Sequence, residues 1–306
     1  MSESSACGAS GFVCRVCRQV MKGGDERVSC PAGCESIPKV DGIWRALFDT
    51  DGSRFAKFRR EYSIVRDAEG RRFDSMESYR ALPFGVEGPR RDEWRVRAKS
   101  YEALIRELVD PLTRDRARVR FLDLGAGNGW LSHRLSAFGL VWSVDISDDP
   151  HDGLGVCACY GPMVVPVMAS NDVLPFGDRS VDLAIFNASF HYSERYEATL
   201  AEALRVAGEV VVMDTPVYRD AESGRRMVEE RRLDFLKRYG FASDGLKSEG
   251  FLTHDRIREL ALGQGVRVEL ISPVYDAKFA LRPITARFKL GREPARFFLI
   301  RFSRSA

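Results

Sequence analysis

The 306-residue sequence predicts an α/β fold built on a parallel sheet, and three observations carry that prediction. The first is the stretch Phe121-Leu122-Asp123-Leu124-Gly125-Ala126-Gly127-Asn128-Gly129-Trp130. An apolar run ends in an acidic residue, and three glycines follow at alternate positions. Leu131, Leu135 and Phe138 then recur at helical spacing, so the stretch reads as strand, tight turn and helix. The second is Leu140–Asp145, another apolar run closed by an acidic residue, with Asp145 20 residues beyond Gly125. The third is the series Met163–Met168, Ser180–Phe186 and Glu209–Asp214, three further strands, with a helix over Tyr196–Val206.

The glycines fit a turn whose backbone must approach a ligand, because a side chain would stand in the way. The free N–H groups at the start of the following helix suit a polar ligand end. A dinucleotide fold wants G-x-G-x-x-G, yet here the third glycine comes one residue early and Trp130 holds the sixth place. Asp123 would also crowd a pyrophosphate with negative charge. D-L-G-A-G-N-G instead resembles motif I of the class I S-adenosylmethionine (SAM)-dependent methyltransferases. That resemblance implies a Rossmann-like sheet of seven strands and a carboxylate suited to the cationic amino-acid end of SAM. The bland alternative is a plain glycine turn in another α/β fold.

Net charge is +3, too small to argue for nucleic acid by itself, and no DNA partner is expected. No apolar run reaches membrane-spanning length, and Met1–Ser10 lacks an apolar signal core, so a cytoplasmic protein without a membrane partner is expected. The cysteines number seven. An odd total, with four in a metal-like pattern, favours thiolate and metal chemistry over disulfides.

Residues 1–10 read as disordered. Cys14 and Cys17 form C-x2-C; Cys30 and Cys34 form C-x3-C twelve residues later. Two such turns can bring four thiolates to one tetrahedral zinc, and with all four places filled the expected role is structural. Reduced cysteines without metal are the alternative, and Cys7 is expected to be free. Glu35–Trp44 reads as a strand and turn that closes the ribbon. It resembles the "YP…DGIP" stretch of Trm112-like zinc ribbons. The cysteine spacing is also similar to the ribbon of RlmA-type rRNA guanine methyltransferases, which carry histidine where Cys34 stands. The predicted division is 1–48 zinc ribbon, 49–99 helical linker or lid, and 100–306 a UbiE/RlmA-like methyltransferase domain with an insertion at about 220–252.

Within 49–99, Phe55, Phe58, Tyr62 and Val65 recur at helical spacing. One reading is a solvated helix pair. The sharper one is a lid that presents Tyr62, Arg66, Tyr79, Trp94 or Arg97 to a ligand. Interleaved arginine and aromatic residues also suit RNA bases. Ser100–Leu112 is helical by its periodicity. Asp145, with Ile146 beside it, can accept both ribose hydroxyls of a nucleoside. Residues 147–162 read as irregular, with Cys157 and Cys159 as buried small side chains.

Ala169–Phe176 resembles the "D-x-x-x-LPF" stretch of the same family, whose polar side chain meets adenine. Serine stands at the usual acidic place, so Ser170, Asn171 and Asp172 share that expectation. Val181–Phe186 resembles the "FDLV" strand. After it, Asn187 is a candidate for the methionine portion of SAM, and His191 for a general base or a packing histidine. Through the resemblance, the cofactor-binding set is Asp123, Gly125, Ala126, Gly127, Asn128, Gly129, Asp145, Ile146, Ser170, Asn171, Asp172 and Asn187. Asp214 and Tyr218 are expected to border the acceptor. Thr253 is a plausible cap for a final helix, and Val266–Val274 and Arg296–Arg301 read as the last two strands, joined by a hairpin-like connection.

The implied reaction is methyl transfer from SAM to an oxygen or nitrogen. Near-neutral charge and a segment 220–252 placed to cover a pocket favour a small-molecule acceptor. The fused ribbon and an arginine-rich stretch, with 18 basic against 12 acidic residues over 54–120, favour RNA. A third possibility is a non-catalytic SAM-binding scaffold.

Overall fold

The computed structural model describes residues 11–114, 116, 118–275 and 291–304. Cys7 and residues 276–290 of the connection between the last two strands lie outside the described residues. Five parallel strands form the centre: β5 (Val119–Leu124), β6 (Gly139–Asp145), β7 (Val164–Met168), β8 (Val181–Asn187) and β9 (Ala207–Met213). Both faces of these strands are covered, which is why they read as nearly continuous apolar runs. The period-two alternation assigns the faces. Leu122, Leu124, Ala184, Phe186, Val210 and Val212 enter one core layer, whereas Phe121, Leu183, Ile185, Val211 and Met213 enter the other.

The last strands match the expected pair closely. β12 (Arg267–Ile271) and β13 (Leu299–Ser303) are antiparallel, and β13 is also antiparallel to β9. The order β7-β6-β5-β8-β9-β13-β12 is the seven-stranded arrangement expected. Among the described residues the sheet does not stop there. β1 (Lys22–Gly23), β2 (Arg27–Ser29), β3 (Ser36–Val40) and β4 (Ile43–Arg45) of the cysteine ribbon continue it to eleven strands. β4 runs parallel to β7, with Trp44 opposite Val167 and Arg45 opposite Met168. Asp41 and Gly42, at φ 52° and 79°, make the tight turn between β3 and β4. Phe12, Trp44, Trp142 and Phe176 form one aromatic cluster across this junction, so the ribbon borrows the core of the sheet.

Residues 49–114 are helical for most of their length: α1 (Asp49–Ala68), α2 (Met76–Ala81), and α3 (Arg91–Leu104), which continues through one π-helical stretch into α4 (Asp110–Arg114). α5 (Trp130–Leu135) follows the glycine turn. α6 (Leu154–Cys157) is all the helix that 147–162 contains; Cys157 is buried as expected, but Cys159, just past its end, is exposed. α7 (Tyr196–Val206) precedes β9. The stretch after β9 forms β10 (Val217–Tyr218), the long α8 (Ala221–Tyr239) and β11 (Leu252–Thr253). α9 (His254–Gln264) is capped by Thr253, whose hydroxyl accepts from the Arg256 N–H at 3.0 Å. Among the described residues no helix is long and apolar enough to cross a membrane.

Candidate functional site

The carboxyl ends of β5, β6, β7 and β8 open onto one cleft, where ligands bind in open α/β sheets. Gly125, Gly127 and Gly129 all adopt left-handed φ, at 72°, 55° and 70°. Their roles differ. A Cβ on Gly125 would sit 2.4 Å from the Ser189 Cβ, and one on Gly129 would sit 2.3 Å from the Cys157 Sγ. These two glycines permit internal packing. A Cβ on Gly127 would meet only the Asp152 carbonyl, at 3.8 Å, so the space beside it belongs to the cleft.

Asp145 stands at the centre. Its Oδ2 accepts from the Gly127 N–H at 2.8 Å and its Oδ1 from the Ser147 N–H at 2.9 Å. Burial raises its pKa, and these backbone donors act against that rise. Each carboxylate oxygen keeps a second acceptor position. Ile146, Ser170, Asn171 and Asp172 line the same cleft. Their availability differs. Asp172 already accepts from Thr199 at 2.7 Å and pairs with Arg54 at 3.2 Å. The Ser170 hydroxyl accepts from the Asp172 N–H. The Asn171 Oδ1 is buried without a partner, so Asn171 is the member of this trio best placed to meet a ligand.

Besides Gly129, four of the expected residues do not line this cleft. Asp123 is 1% exposed and lies beneath the loop, where its Oδ2 accepts from Ser132 at 2.6 Å; Ser143 continues the chain at 2.7 Å. Burial, with help from nearby Asp145, pushes its carboxyl up to about 7. The Asn128 side chain accepts from the Trp130 N–H and so shapes the helix start instead of facing the cleft. Ala126 contributes its N–H to the Val144 carbonyl. Asn187 ends β8 with its Oδ1 buried, and the two residues after it, Ala188 and Ser189, line the cleft. Ala188 holds a left-handed φ of 54°, a conformation unfavourable for a residue with a Cβ and one that concentrates at sites.

α1 forms the roof. Phe58 and Tyr62, one turn apart, stack at 5.4 Å and enclose the cleft with Tyr192. The helix is fastened by charge. Arg66 makes a two-point pair with Asp152, Arg54 reaches Asp172 and Glu194, and Ser63 donates to Asp149. Tyr62, Arg66 and Arg97 line cavities. Tyr79 and Trp94 do not: both are buried in the core that α2 and α3 share with α5.

A second cavity opens on the other side of Phe58, Tyr62, Ala188, Tyr192 and Leu246, which line both spaces. The cleft holds about 880 Å³ of open space with its mouth included, and the second cavity about 1560 Å³. His191 and Asp214 line the second cavity. The His191 Nδ1 lies 3.4 Å from the Thr215 hydroxyl, and burial pushes the ring pKa down to about 3, so the imidazole is neutral. Tyr218 is 1% exposed and packs edge-on against Phe251, away from the cavity. Arg231 on α8 also lines it and was not anticipated; the only sequence signal was the charge density of the insertion.

The four ribbon cysteines converge. The Sγ atoms of Cys14, Cys17, Cys30 and Cys34 lie within 4.8 Å of one another, and Cys17 and Cys30 approach to 3.4 Å. A tetrahedron with metal–sulfur bonds of about 2.3 Å needs edges of about 3.8 Å, so the cluster fits a zinc ion. Glu35 accepts from both the backbone and the guanidinium of Arg15 and ties the first knuckle to the rest of the ribbon.

Residues 122–209 match the family profile described as a methyltransferase domain. The match runs from β5 into β9 and so contains the glycine loop, Asp145, the Ser170–Asp172 trio and His191. No curated protein matches the chain. Among solved structures, the YcgJ protein of Bacillus subtilis is 16% identical, with 65% of this chain and 98% of that one covered and a TM-score of 0.45. Magnesium protoporphyrin IX methyltransferase of Synechocystis PCC 6803 with bound SAM is 15% identical over 80% and 97%, at 0.47. A SAM-dependent methyltransferase of Mesorhizobium loti is 19% identical over 65% and 100%, at 0.45. The ribbon and the lid lie outside the matched methyltransferase domain.

Proposed function

We propose that this chain is a SAM-dependent methyltransferase acting on an oxygen or nitrogen of a small-molecule acceptor. The observation that carries the reading is the pair of adjoining cavities. One lies over the glycine loop and Asp145, and the other is separated from it by Phe58, Tyr62 and Tyr192. When bound, SAM supplies an electrophilic methyl group. This chain's residues would do the rest by holding two reactants in line. Asp145 would take the ribose hydroxyls, Asn171 the adenine, and the backbone of Gly127 would border the amino-acid end. The open face of Gly127 and the unpartnered Asn171 oxygen both fit such a ligand. His191 stands at the second cavity, where burial pushes its pKa down to about 3 and makes it a weak base, so the reading rests on positioning of the reactants and not on this imidazole.

RNA as the acceptor draws support from the arginine-rich stretch. However, Arg54, Arg66, Arg71, Arg90 and Arg97 are each paired with a carboxylate or bordered by one, which removes much of the positive field an RNA backbone would need. A structural zinc in the cysteine ribbon and a location in the cytoplasm complete the proposal.

Calorimetric titration with SAM and with NADH tests the core of this reading. Micromolar SAM binding, no NADH binding, and loss of SAM binding in Asp145→Ala are expected. Equal SAM affinity in that variant would overturn the site assignment. SAM binding without turnover on any acceptor would favour the scaffold.

A further inference from the structure

Five arginines and three carboxylates line the second cavity. Of its charged lining, Arg66 is engaged by Asp152, Arg71 by Glu69 and Glu93, and Arg97 by Glu93. Arg231 is half-buried, and among the described residues it has no hydrogen bond or ion pair. An unpaired guanidinium in a recess is costly unless something answers it. Across the cavity, Arg97 and Arg231 both act on the His191 ring and disfavour its protonation, which places their charges on one common space. The carboxyl groups of the lining leave Arg231 unanswered: Asp214 accepts from the Ser100 hydroxyl at 2.6 Å and feels Arg97, with its pKa raised by burial, and Asp244 is taken by Lys57 at 2.5 Å. Four rings, Phe58, Tyr62, Tyr192 and Phe235, supply much of the apolar wall.

We infer that the acceptor is a small acid, a carboxylate or phosphate monoester with an apolar, ring-sized body, its anionic group held by Arg231 and Arg97. The inference rests on the second cavity's being the acceptor site. A planar oxyanion can take two parallel N–H donors from a guanidinium, which fixes direction as well as position. The body then lies along the aromatic wall that separates the two cavities, with its other end toward the cleft.

The test uses the full chain with benzoate and phenyl phosphate as probes and neutral benzamide as the control, titrated by calorimetry at low salt. One or both acids should bind, benzamide should not, and which acid binds more tightly assigns the anion. Arg231→Gln should weaken acid binding by tenfold or more, and Arg231→Lys should recover part of it. The SAM affinity of both variants should equal that of the unaltered chain, which also reports that they fold. Equal acid binding in Arg231→Gln, or benzamide binding as tightly as benzoate, would overturn the inference. So would a short RNA that binds more tightly than either acid and depends on Arg231. Failure of SAM binding with acid binding intact would instead count against the methyltransferase reading.

Discussion

The cysteine ribbon and helix α1 are consecutive in the chain and both fasten onto the parallel sheet, yet they do so by different forces. The ribbon joins by a strand ladder and by burial. β4 pairs with β7, and Phe12 and Trp44, each 1% exposed, enter the same core as Trp142 and Phe176. Helix α1 joins through charge. Arg54, Arg66 and Ser63 reach acidic residues of the loops beneath, Lys57 reaches Asp244, and only Phe55 and Val65 of its apolar side chains are buried. Apolar burial is non-directional and scales with area, whereas of the α1 pairs the more exposed Arg54 contacts contribute little and the largely buried Arg66–Asp152 pair depends on both partners being present. The ribbon is held by its share of the core, and α1 is held mainly by ion pairs and by the Phe58–Tyr62–Tyr192 ring contacts.

Metal removal should produce the largest effect on this comparison. Because Cys14 and Cys30 belong to the shared core, chelation under reducing conditions should lower the melting temperature of the whole chain in one transition, by ten degrees or more. Elemental analysis should find about one zinc per chain beforehand. A separate early transition, leaving the remainder unaffected, would show that the ribbon is fastened as loosely as the lid.

The α1 ion pairs should give intermediate effects. Arg66→Ala leaves Asp152, whose side chain is 6% exposed, without its two-point partner. The SAM Kd should rise by about tenfold. Arg54→Ala removes a more exposed pair and should raise it a few-fold. Both differences should shrink between 50 and 500 mM salt. Calorimetry that finds the same Kd in all three proteins would detach α1 from the cleft.

The smallest effect concerns the buried side of the comparison. Asp123 has its carboxyl pushed up to about 7 from an ordinary 3.8, so the folded chain binds the extra proton between these values. Its contribution is therefore present at low pH and lost as pH rises through about 7. Asp123→Asn, which cannot ionise, should melt a few degrees higher relative to the unaltered chain at pH 8 than at pH 5. A difference independent of pH would mean that the carboxylate is stabilised where it lies.

Much of the centre was legible because its signals are local. The apolar strands, the glycine turn and the acidic strand ends each reveal themselves within about ten residues, and Asp145, Ser170 and Asn171 came together as expected. Asp123 and Asn128 show that motif neighbours can be placed differently. Neighbours in sequence at a turn can point to opposite sides, one beneath the loop and one along it. The continuation of the sheet by β4 was not legible, since three residues carry no register information for a partner far away in the chain. Nor was Arg231. Its meaning comes from the lack of a partner, and partners are settled by the tertiary fold.

The pairing of β4 with β7 also sets an order of events during synthesis. Arg45 and Met168, neighbours in the finished sheet, are separated by 123 positions. At about 5–20 residues per second, the cysteine knuckles emerge from the ribosome roughly 6–25 seconds before the strand that will cover Trp44. During that interval four thiolates and a cluster of aromatic side chains are exposed together. Early capture of the metal would shield the thiolates and hold the ribbon in shape, so that the nascent sheet meets a preformed edge.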